Sequence, residues 1–194
     1  MSLFESTEGA FCLGVTGHRV LGDRALLCQA VSKALDLIEA YFLNPGQGLL
    51  LLSPLAQGAD QLVAELVLKR PGARLIVPLP FEERRYMATF TNSKARERFK
   101  ALVARAERVL VVPEANRAEE EAYEAVGRFV VDNSRLILAV WDGQRARGRG
   151  GTGEIVEYAR KKSRPLCLVL PRPPWTVRFE GPETLEARQV VKTG

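Results

Sequence analysis

The chain has 194 residues, of which 46% are hydrophobic and 26% charged. This composition is typical of a globular protein, and we expect a single domain over 1–194, with a core at about 11–170 and a tail at 171–194. No apolar run approaches the roughly 20 residues that cross a bilayer. No basic-plus-apolar signal segment opens the chain either. We therefore expect no membrane partner and predict a cytoplasmic location.

Cysteine and histidine usage argues against a disulfide framework and a metal site. The three cysteines form no C-x-x-C pair, and His18 is the single histidine. In the sequence, no group of carboxylates stands out as a set of metal ligands. We therefore expect buried thiols, no metal and no cofactor.

The chain carries a formal net charge of +5, mostly through arginine. Its basic residues alternate with glutamate in helix-like stretches, which is typical of solvated helix faces. Arg145, Arg147 and Arg149 are the exception, because they cluster in one glycine-rich stretch. This cluster favours an anionic small ligand over a long nucleic-acid track, although nucleic acid remains an alternative partner.

Short apolar segments alternate along the chain with segments of helical spacing. Strands are predicted at 11–15, 49–52, 74–78, 108–112, 136–140 and 166–170. Helices are predicted between 23 and 44, up to 69, over 93–106 and 118–131, and from 154 to 162, with a helical turn within 79–92. Continuously apolar strands that alternate with helices indicate an α/β fold, a three-layer α/β/α arrangement with a mainly parallel sheet of about six strands.

Polar and glycine-containing loops follow four of these strands, and such a sheet binds ligands beyond the carboxyl ends of its strands. The loops span 14–19, 53–60, 78–86 and 141–153. In the last of them, the glycines of 148–153 open a helix. The free N–H groups of a helix start favour an anion, so we predict a phosphate site there.

Common nucleotide and hydrolase fingerprints are missing from their usual places in the sequence. The loop after the first strand, 14–17 (GVTG), is not a G-x-G-x-x-G, and the sequence contains no G-x-x-x-x-G-K-[ST] and no G-x-S-x-G. Simple dehydrogenases, P-loop NTPases and α/β-hydrolases are therefore poor interpretations.

The loops resemble those of the SLOG superfamily, which includes the DprA/Smf DNA-processing proteins and the LOG "lysine decarboxylase-like" proteins. The resemblance covers about 11–170, is closest to an uncharacterised prokaryotic branch, and is carried by 14–19 (GVTGHR), 53–60 (SPLAQGAD), 139–143 (AVWDG) and 150–154 (GGTGE). It implies a Rossmann-like fold, a nucleotide-derived ligand at the glycine loop, and a homodimer.

The candidate ligand-binding residues lie in these loops. They are Gly14, Thr16, Gly17, His18, Arg19, Ser53, Gly58, Asp60, Asp142, Arg149, Gly150, Gly151, Thr152, Gly153 and Glu154. Several have a structural alternative: Ser53 and Asp60 as helix caps, and His18 as a structural residue. Phe81, Arg84 and Tyr86 either cover a bound base or form a packed surface turn.

Three functions remain open. The first is a sensor that binds a nucleotide or nucleotide-derived molecule. The second follows from the LOG resemblance: a phosphoribohydrolase that cleaves a nucleoside monophosphate, with Glu157 at the catalytic position and Glu154 and Arg135 as further catalytic candidates. The third is single-stranded DNA binding in the manner of DprA.

Overall fold

The computed structural model describes residues 9–112, 118–144 and 150–181. Strands and helices alternate through most of these ranges. In chain order they are β1 (Phe11–Gly17), α1 (Arg24–Phe42), β2 (Leu49–Leu52), α2 (Ala59–Val67), β3 (Arg74–Leu79), α3 (Glu83–Ala88), α4 (Ser93–Val103), β4 (Arg108–Val111), α5 (Glu119–Asp132), β5 (Leu136–Val140), α6 (Thr152–Lys161), β6 (Leu166–Val169) and β7 (Val177–Glu180).

All strands join one sheet in the order β4-β3-β2-β1-β5-β6-β7. Every neighbouring pair is parallel except β6 and β7, which are antiparallel. From β1, the strands β2, β3 and β4 are added in turn towards one edge of the sheet. Helix α5 then leads back to β5 on the other side of β1, and β6 and β7 follow towards the opposite edge. The strand order therefore reverses between β1 and β5, and a doubly wound sheet opens a crevice at such a point.

Helices cover both faces of the sheet, and alternate strand residues divide between two cores. Leu51 belongs to the larger core, which packs mainly against α1, α2 and α4. Its neighbours Leu50 and Leu52 belong to the smaller core, beneath α5 and α6. This division follows from the two-residue period of a strand, and it explains why β2 is apolar at every position.

The α/β fold class and the mainly parallel sheet are confirmed, with seven strands within the described ranges rather than about six. The additional strand, β7, lies within the region 171–194 that the sequence assigns to a tail. It pairs with β6 in an antiparallel register, and its Phe179 ring stacks on Phe42 of α1 at 5.7 Å between centroids. No helix within the described ranges combines the length and apolarity needed to span a bilayer.

Candidate functional site

A cavity of about 690 Å³ opens where the strand order reverses. The segments that follow β1, β2, β3, β5 and β6 all contribute to it, and α5 supplies one wall. The residues that line it and carry the argument below are Thr16, Gly17, His18, Arg19, Asp60, Tyr86, Tyr123, Gly127, Asp142, Gln144, Gly150, Gly151, Thr152, Gly153 and Arg172. The volume falls within the range of small-molecule sites.

The N-terminus of α6 forms one side of the cavity. Gly151 is the N-cap of this helix, and among the described residues no side chain caps it. The N–H groups of Glu154 and Ile155 donate to the Gly151 carbonyl at 3.0 and 3.2 Å. Thr152 and Gly153 precede them in the first turn, where N–H groups have no partner within the helix. The cavity is therefore lined by backbone donors at the positive end of a helix dipole.

His18 links the loops that follow β1 and β5. Its Nε2 lies 3.0 Å from the Asp142 carboxylate and 3.2 Å from the Asp142 backbone nitrogen. One nitrogen cannot serve both contacts in one state: a protonated Nε2 donates to the carboxylate, and a bare Nε2 accepts the N–H. Burial acts to raise the pKa of Asp142, but hydrogen bonds from Gln144 and His18 outweigh it and leave this pKa below its usual value.

Arg19, Tyr86 and Tyr123 line another part of the cavity, and Phe81 packs behind them. The Arg19 guanidinium lies 4.9 Å from the centre of the Tyr123 ring, which is a cation–π contact. Tyr123 contacts Phe81 edge-on at 5.7 Å between centroids and Tyr86 at 6.2 Å. The wall therefore combines a cation with aromatic rings in edge-on and tilted contact, which suits a planar aromatic ligand.

Asp60 lies in the same part of the cavity and is its most buried carboxylate, with only 3% of its surface exposed. It accepts one hydrogen bond, from the Ala56 N–H at 3.3 Å. Burial raises the pKa of Asp60 to about 7, although the Ala56 N–H and the charge of Arg19 act in the opposite direction. Burial and the Asp60 charge together raise the pKa of Tyr86 well above its usual value.

The structure brings most of the sequence-predicted ligand residues to this cavity. Those that line it are Thr16, Gly17, His18, Arg19, Asp60, Asp142, Gly150, Gly151, Thr152 and Gly153. Arg149, with its neighbours in 145–149, lies outside the described residues.

Gly14, Ser53 and Gly58 are not among the residues that line the cavity, and each has a packing role instead. A Cβ at Gly14 would lie 2.5 Å from Ile137 and Ser134, so the glycine lets α5 approach β1. The Ser53 hydroxyl is buried and accepts the Leu55 N–H. Gly58 permits close backbone approach as expected, but to the chain at 18–19.

The three candidate catalytic residues do not assemble into one site. Glu154 accepts the Gly150 N–H at 2.7 Å and so supports the start of α6. Glu157 lies outside the cavity lining and pairs with Arg160, which also contacts Glu180 of β7. Arg135 precedes β5, at the amino edge of the sheet, where its guanidinium stacks on Phe11. A phosphate held at α6 is therefore out of its reach.

The sequence interpretation missed the contribution of α5. Tyr123 and Gly127 lie one helical turn apart and both line the cavity, while Gly127 also lets Ile155 of α6 pack against the helix. Of the proposed base-covering residues, Tyr86 is buried and lines the cavity, Phe81 is buried behind it, and Arg84 is exposed and lies outside the lining. A glycine four residues after a tyrosine was the available signal, although alone it is weak.

Metal chemistry has no obvious site in the part of the chain that the structure describes. There, no three His, Cys, Asp or Glu side chains are grouped closely enough to hold a metal ion.

Comparison with known proteins identifies the fold and little else. No family model matches the sequence, and no curated protein matches it. Among solved structures, the chain is similar to DNA processing protein A from Helicobacter pylori, whose single-stranded DNA binding mode has been described. The TM-score is 0.57 and the identity 15%, and the match covers 98% of this chain and 75% of the other. This likeness shows a shared Rossmann-like fold.

Proposed function

We propose that this protein binds a nucleotide, or a nucleotide-derived small molecule, in the cavity between β1 and β5. One observation carries the proposal: the cavity joins an uncapped helix N-terminus to a wall of aromatic rings and a guanidinium. Backbone N–H groups at a helix start bind phosphate, and aromatic and guanidinium planes stack on bases. The two halves of a nucleotide thus have separate, suitable surroundings.

Charge at the other helix starts favours α6 as the phosphate position. Asp23 caps α1 with its own carboxylate, which accepts the N–H groups of Ala25 and Leu26. The first turn of α5 carries three glutamates. Both helices therefore present negative charge where a phosphate would dock, whereas at α6 the single first-turn carboxylate, Glu154, is held by the Gly150 N–H.

The arrangement does not support the catalytic roles that the LOG resemblance gives to Glu157 and Arg135. Glycosidic hydrolysis needs a carboxylate beside the bond that breaks, but Glu157 lies outside the cavity and its carboxylate pairs with Arg160. Arg135, the residue expected to orient the phosphate, is at the far edge of the sheet. We therefore favour a ligand sensor over a phosphoribohydrolase.

A replacement at the N-cap of α6 tests the proposal. Gly151→Asp should fold normally, since Gly151 has an extended backbone (φ −72°) and aspartate is a favoured N-cap. Its carboxylate would occupy the N–H donors and repel phosphate, so we expect calorimetry to show at least about a tenfold loss of nucleoside monophosphate affinity.

Two controls accompany this variant. Gly151→Asn caps the same donors without a charge and should lose less affinity. Nucleosides, which lack the phosphate, should bind both variants as they bind the wild type. Unchanged affinity of Gly151→Asp for monophosphates would refute a phosphate site at α6.

Single-stranded DNA is a second candidate ligand. Its specific support is the fold shared with a protein described as binding single-stranded DNA, together with the net charge of +5. Fluorescence anisotropy with an oligothymidylate tests it. Affinity that exceeds that for thymidine monophosphate and falls steeply with salt would favour this function.

A further inference from the structure

Asp60 is not explained by phosphate binding. It is a carboxylate with 3% exposure that lines a ligand-sized cavity, beside aromatic side chains. Among the described residues, one of its oxygens accepts the Ala56 N–H at 3.3 Å, and no hydrogen bond is made to the other. An ionisable group in such a place is costly to bury unless it is paired. Its unused acceptor capacity therefore points to a ligand.

Apart from the Ala56 N–H that Asp60 accepts, the surrounding loop is held by neutral side chains. The adjacent Gln61 side chain is also buried, and it donates to the carbonyl groups of Leu55 and Ala95 at 3.2 and 3.0 Å. Ser53 secures the other end of the loop by accepting the Leu55 N–H at 3.1 Å. Neutral groups thus fix this loop, and the charged group beside them is available for recognition.

We propose that Asp60 determines the base specificity of the site and that the base is guanine. The inference rests on the proposed function. A guanine edge carries a ring N–H directly beside an exocyclic amine, so two donors meet the two oxygens of a carboxylate. The Tyr86, Tyr123 and Arg19 side chains provide planar surroundings for the purine ring.

The other bases fit an ionised carboxylate less well. Adenine and cytosine each place an amine beside a ring nitrogen that accepts hydrogen bonds, so one lone pair would meet another. Thymine and uracil place carbonyl oxygens on both sides of their ring N–H. Guanine alone among these bases supplies two adjacent donors.

The sheet sets a suitable separation between the two halves of the ligand. Helix α6 follows β5, and Asp60 follows β2, with only β1 between these strands. Neighbouring strands are about 4.8 Å apart, so the strands that lead to these two positions lie roughly 10 Å apart in the plane of the sheet, and α2 and α6 pack on its two faces. A mononucleotide with its phosphate at α6 can extend its base over β1 towards Asp60.

The hydrogen-bonding pattern of each base edge provides a test that distinguishes base recognition by Asp60 from a purely structural role. Isothermal titration of the wild-type protein with GMP, dGMP, IMP, XMP and AMP should rank GMP and dGMP first, at least about tenfold above XMP and AMP. IMP, which lacks the exocyclic amine, should fall between them. This ranking needs no variant.

The Asp60→Asn variant should invert the preference between guanine and xanthine. Its amide offers one acceptor and one donor, which match the ring N–H and the neighbouring carbonyl of xanthine. We expect GMP affinity to fall and XMP affinity to rise, each by about tenfold. Asp36→Asn, on the exposed face of α1 with 68% side-chain exposure, is the matched control and should keep the wild-type ranking.

The outcomes separate the two proposals. Equal affinities for GMP, AMP and XMP would overturn the guanine assignment and leave nucleotide binding intact. A GMP affinity well above that of dGMP, with AMP equal to GMP, would show that Asp60 reads the ribose hydroxyls, and this would also overturn the assignment. Binding of none of the five would overturn both proposals.

Discussion

At the scale of single residues, Asp60 shows the conflict between stability and recognition. Burial raises its pKa from 3.8 to about 7, so the folded protein holds this proton more tightly than the unfolded chain does. Between these two pH values the folded state binds more protons, and the free energy of unfolding falls as the pH rises. From about one pH unit above this pKa, the charge is almost fully present inside the fold and its destabilising effect is nearly complete.

We therefore expect Asp60→Asn to stabilise the protein at alkaline pH. The asparagine keeps the hydrogen bond from the Ala56 N–H and carries no charge. The gain in free energy of unfolding should reach at most about 4 kcal/mol at pH 8 and nearly vanish at pH 4. Arg19 and Tyr86, the neighbours of the carboxylate, keep their charge state over this range.

Urea denaturation of both proteins at pH 4, 6 and 8 measures this difference. Asp36→Asn, which replaces an exposed carboxylate, should show no comparable rise with pH. A variant less stable than the wild type at pH 8 would contradict a destabilising charge at Asp60.

Glu157 gives the opposite expectation at the same scale. Its side chain is 56% exposed and pairs with Arg160 on one surface of α6. Glu157→Ala should leave nucleotide affinity within about twofold and cost less than about 1 kcal/mol of stability, since exposed ion pairs contribute little. Calorimetry measures the affinity, and urea denaturation measures the stability. Chromatography of the incubated ligand shows whether free base is released. Release of free base by the wild type, abolished in the variant, would restore the hydrolase.

At the scale of elements, one glycine sets how the loops after β1 and β2 fit together. Gly58 has φ +105°, and a Cβ there would lie 2.5 Å from the carbonyl oxygens of His18 and Arg19. The next residue, Ala59, donates its N–H to the His18 carbonyl at 3.1 Å. The start of α2, and with it Asp60, is thereby held against the loop that carries His18 and Arg19.

Gly58→Ala should therefore lower the free energy of unfolding by more than the strained backbone conformation alone would. We expect a loss of about 3 kcal/mol or more. Gly46→Ala is the matched control, because Gly46 also has a positive φ (+79°) but a Cβ there would contact nothing within 4 Å. It should cost only about 1–2 kcal/mol. Thermal unfolding of the two variants separates the contact from the conformation, and equal losses would contradict the packing role of Gly58.

The elements with strong periodicity were predictable, and the exceptions have physical causes. The four leucines of β2 and the apolar run of β5 indicate buried strands, and both strands match their predicted bounds. The strand β7 was missed because it has only four residues, too short a run for their alternation between apolar and polar to stand out, and Phe179 becomes partly buried only through its contact with α1.

The site was predictable as an edge of the sheet, because the carboxyl ends of parallel strands meet there. Its individual contacts depend on tertiary structure. Tyr123 reaches the cavity from α5, the helix that connects β4 to β5. The Glu157 side chain lies outside the cavity because of where α6 packs on the sheet. No spacing in the sequence encodes these two orientations.

At the scale of the whole molecule, part of the positive charge behind the net +5 is already paired with carboxylates in the described ranges. Many arginines there lie in ion pairs that occupy their guanidinium groups. Examples are Arg24 with Glu65, Arg70 with Asp36 and Glu39, Arg74 with Glu107, and Arg160 with Glu180. Arg19 and Arg172, by contrast, line the cavity.

This distribution predicts different salt responses for the two candidate ligands. Each phosphate that a basic side chain neutralises on a single strand contributes a slope of about −0.7 to the plot of log affinity against log salt concentration. A mononucleotide offers one phosphate, held chiefly by the backbone of α6, so its affinity should fall by less than about threefold between 50 and 200 mM salt. A DNA strand that contacts several arginines through four or more phosphates would lose about fiftyfold or more in affinity over the same range. Anisotropy measured over this salt range with a labelled nucleotide and a labelled oligonucleotide decides between the two. A shallow response for the oligonucleotide would mean that it binds through one nucleotide in the cavity, whereas a steep response with tighter binding would make the surface arginines, and not the cavity, the principal site.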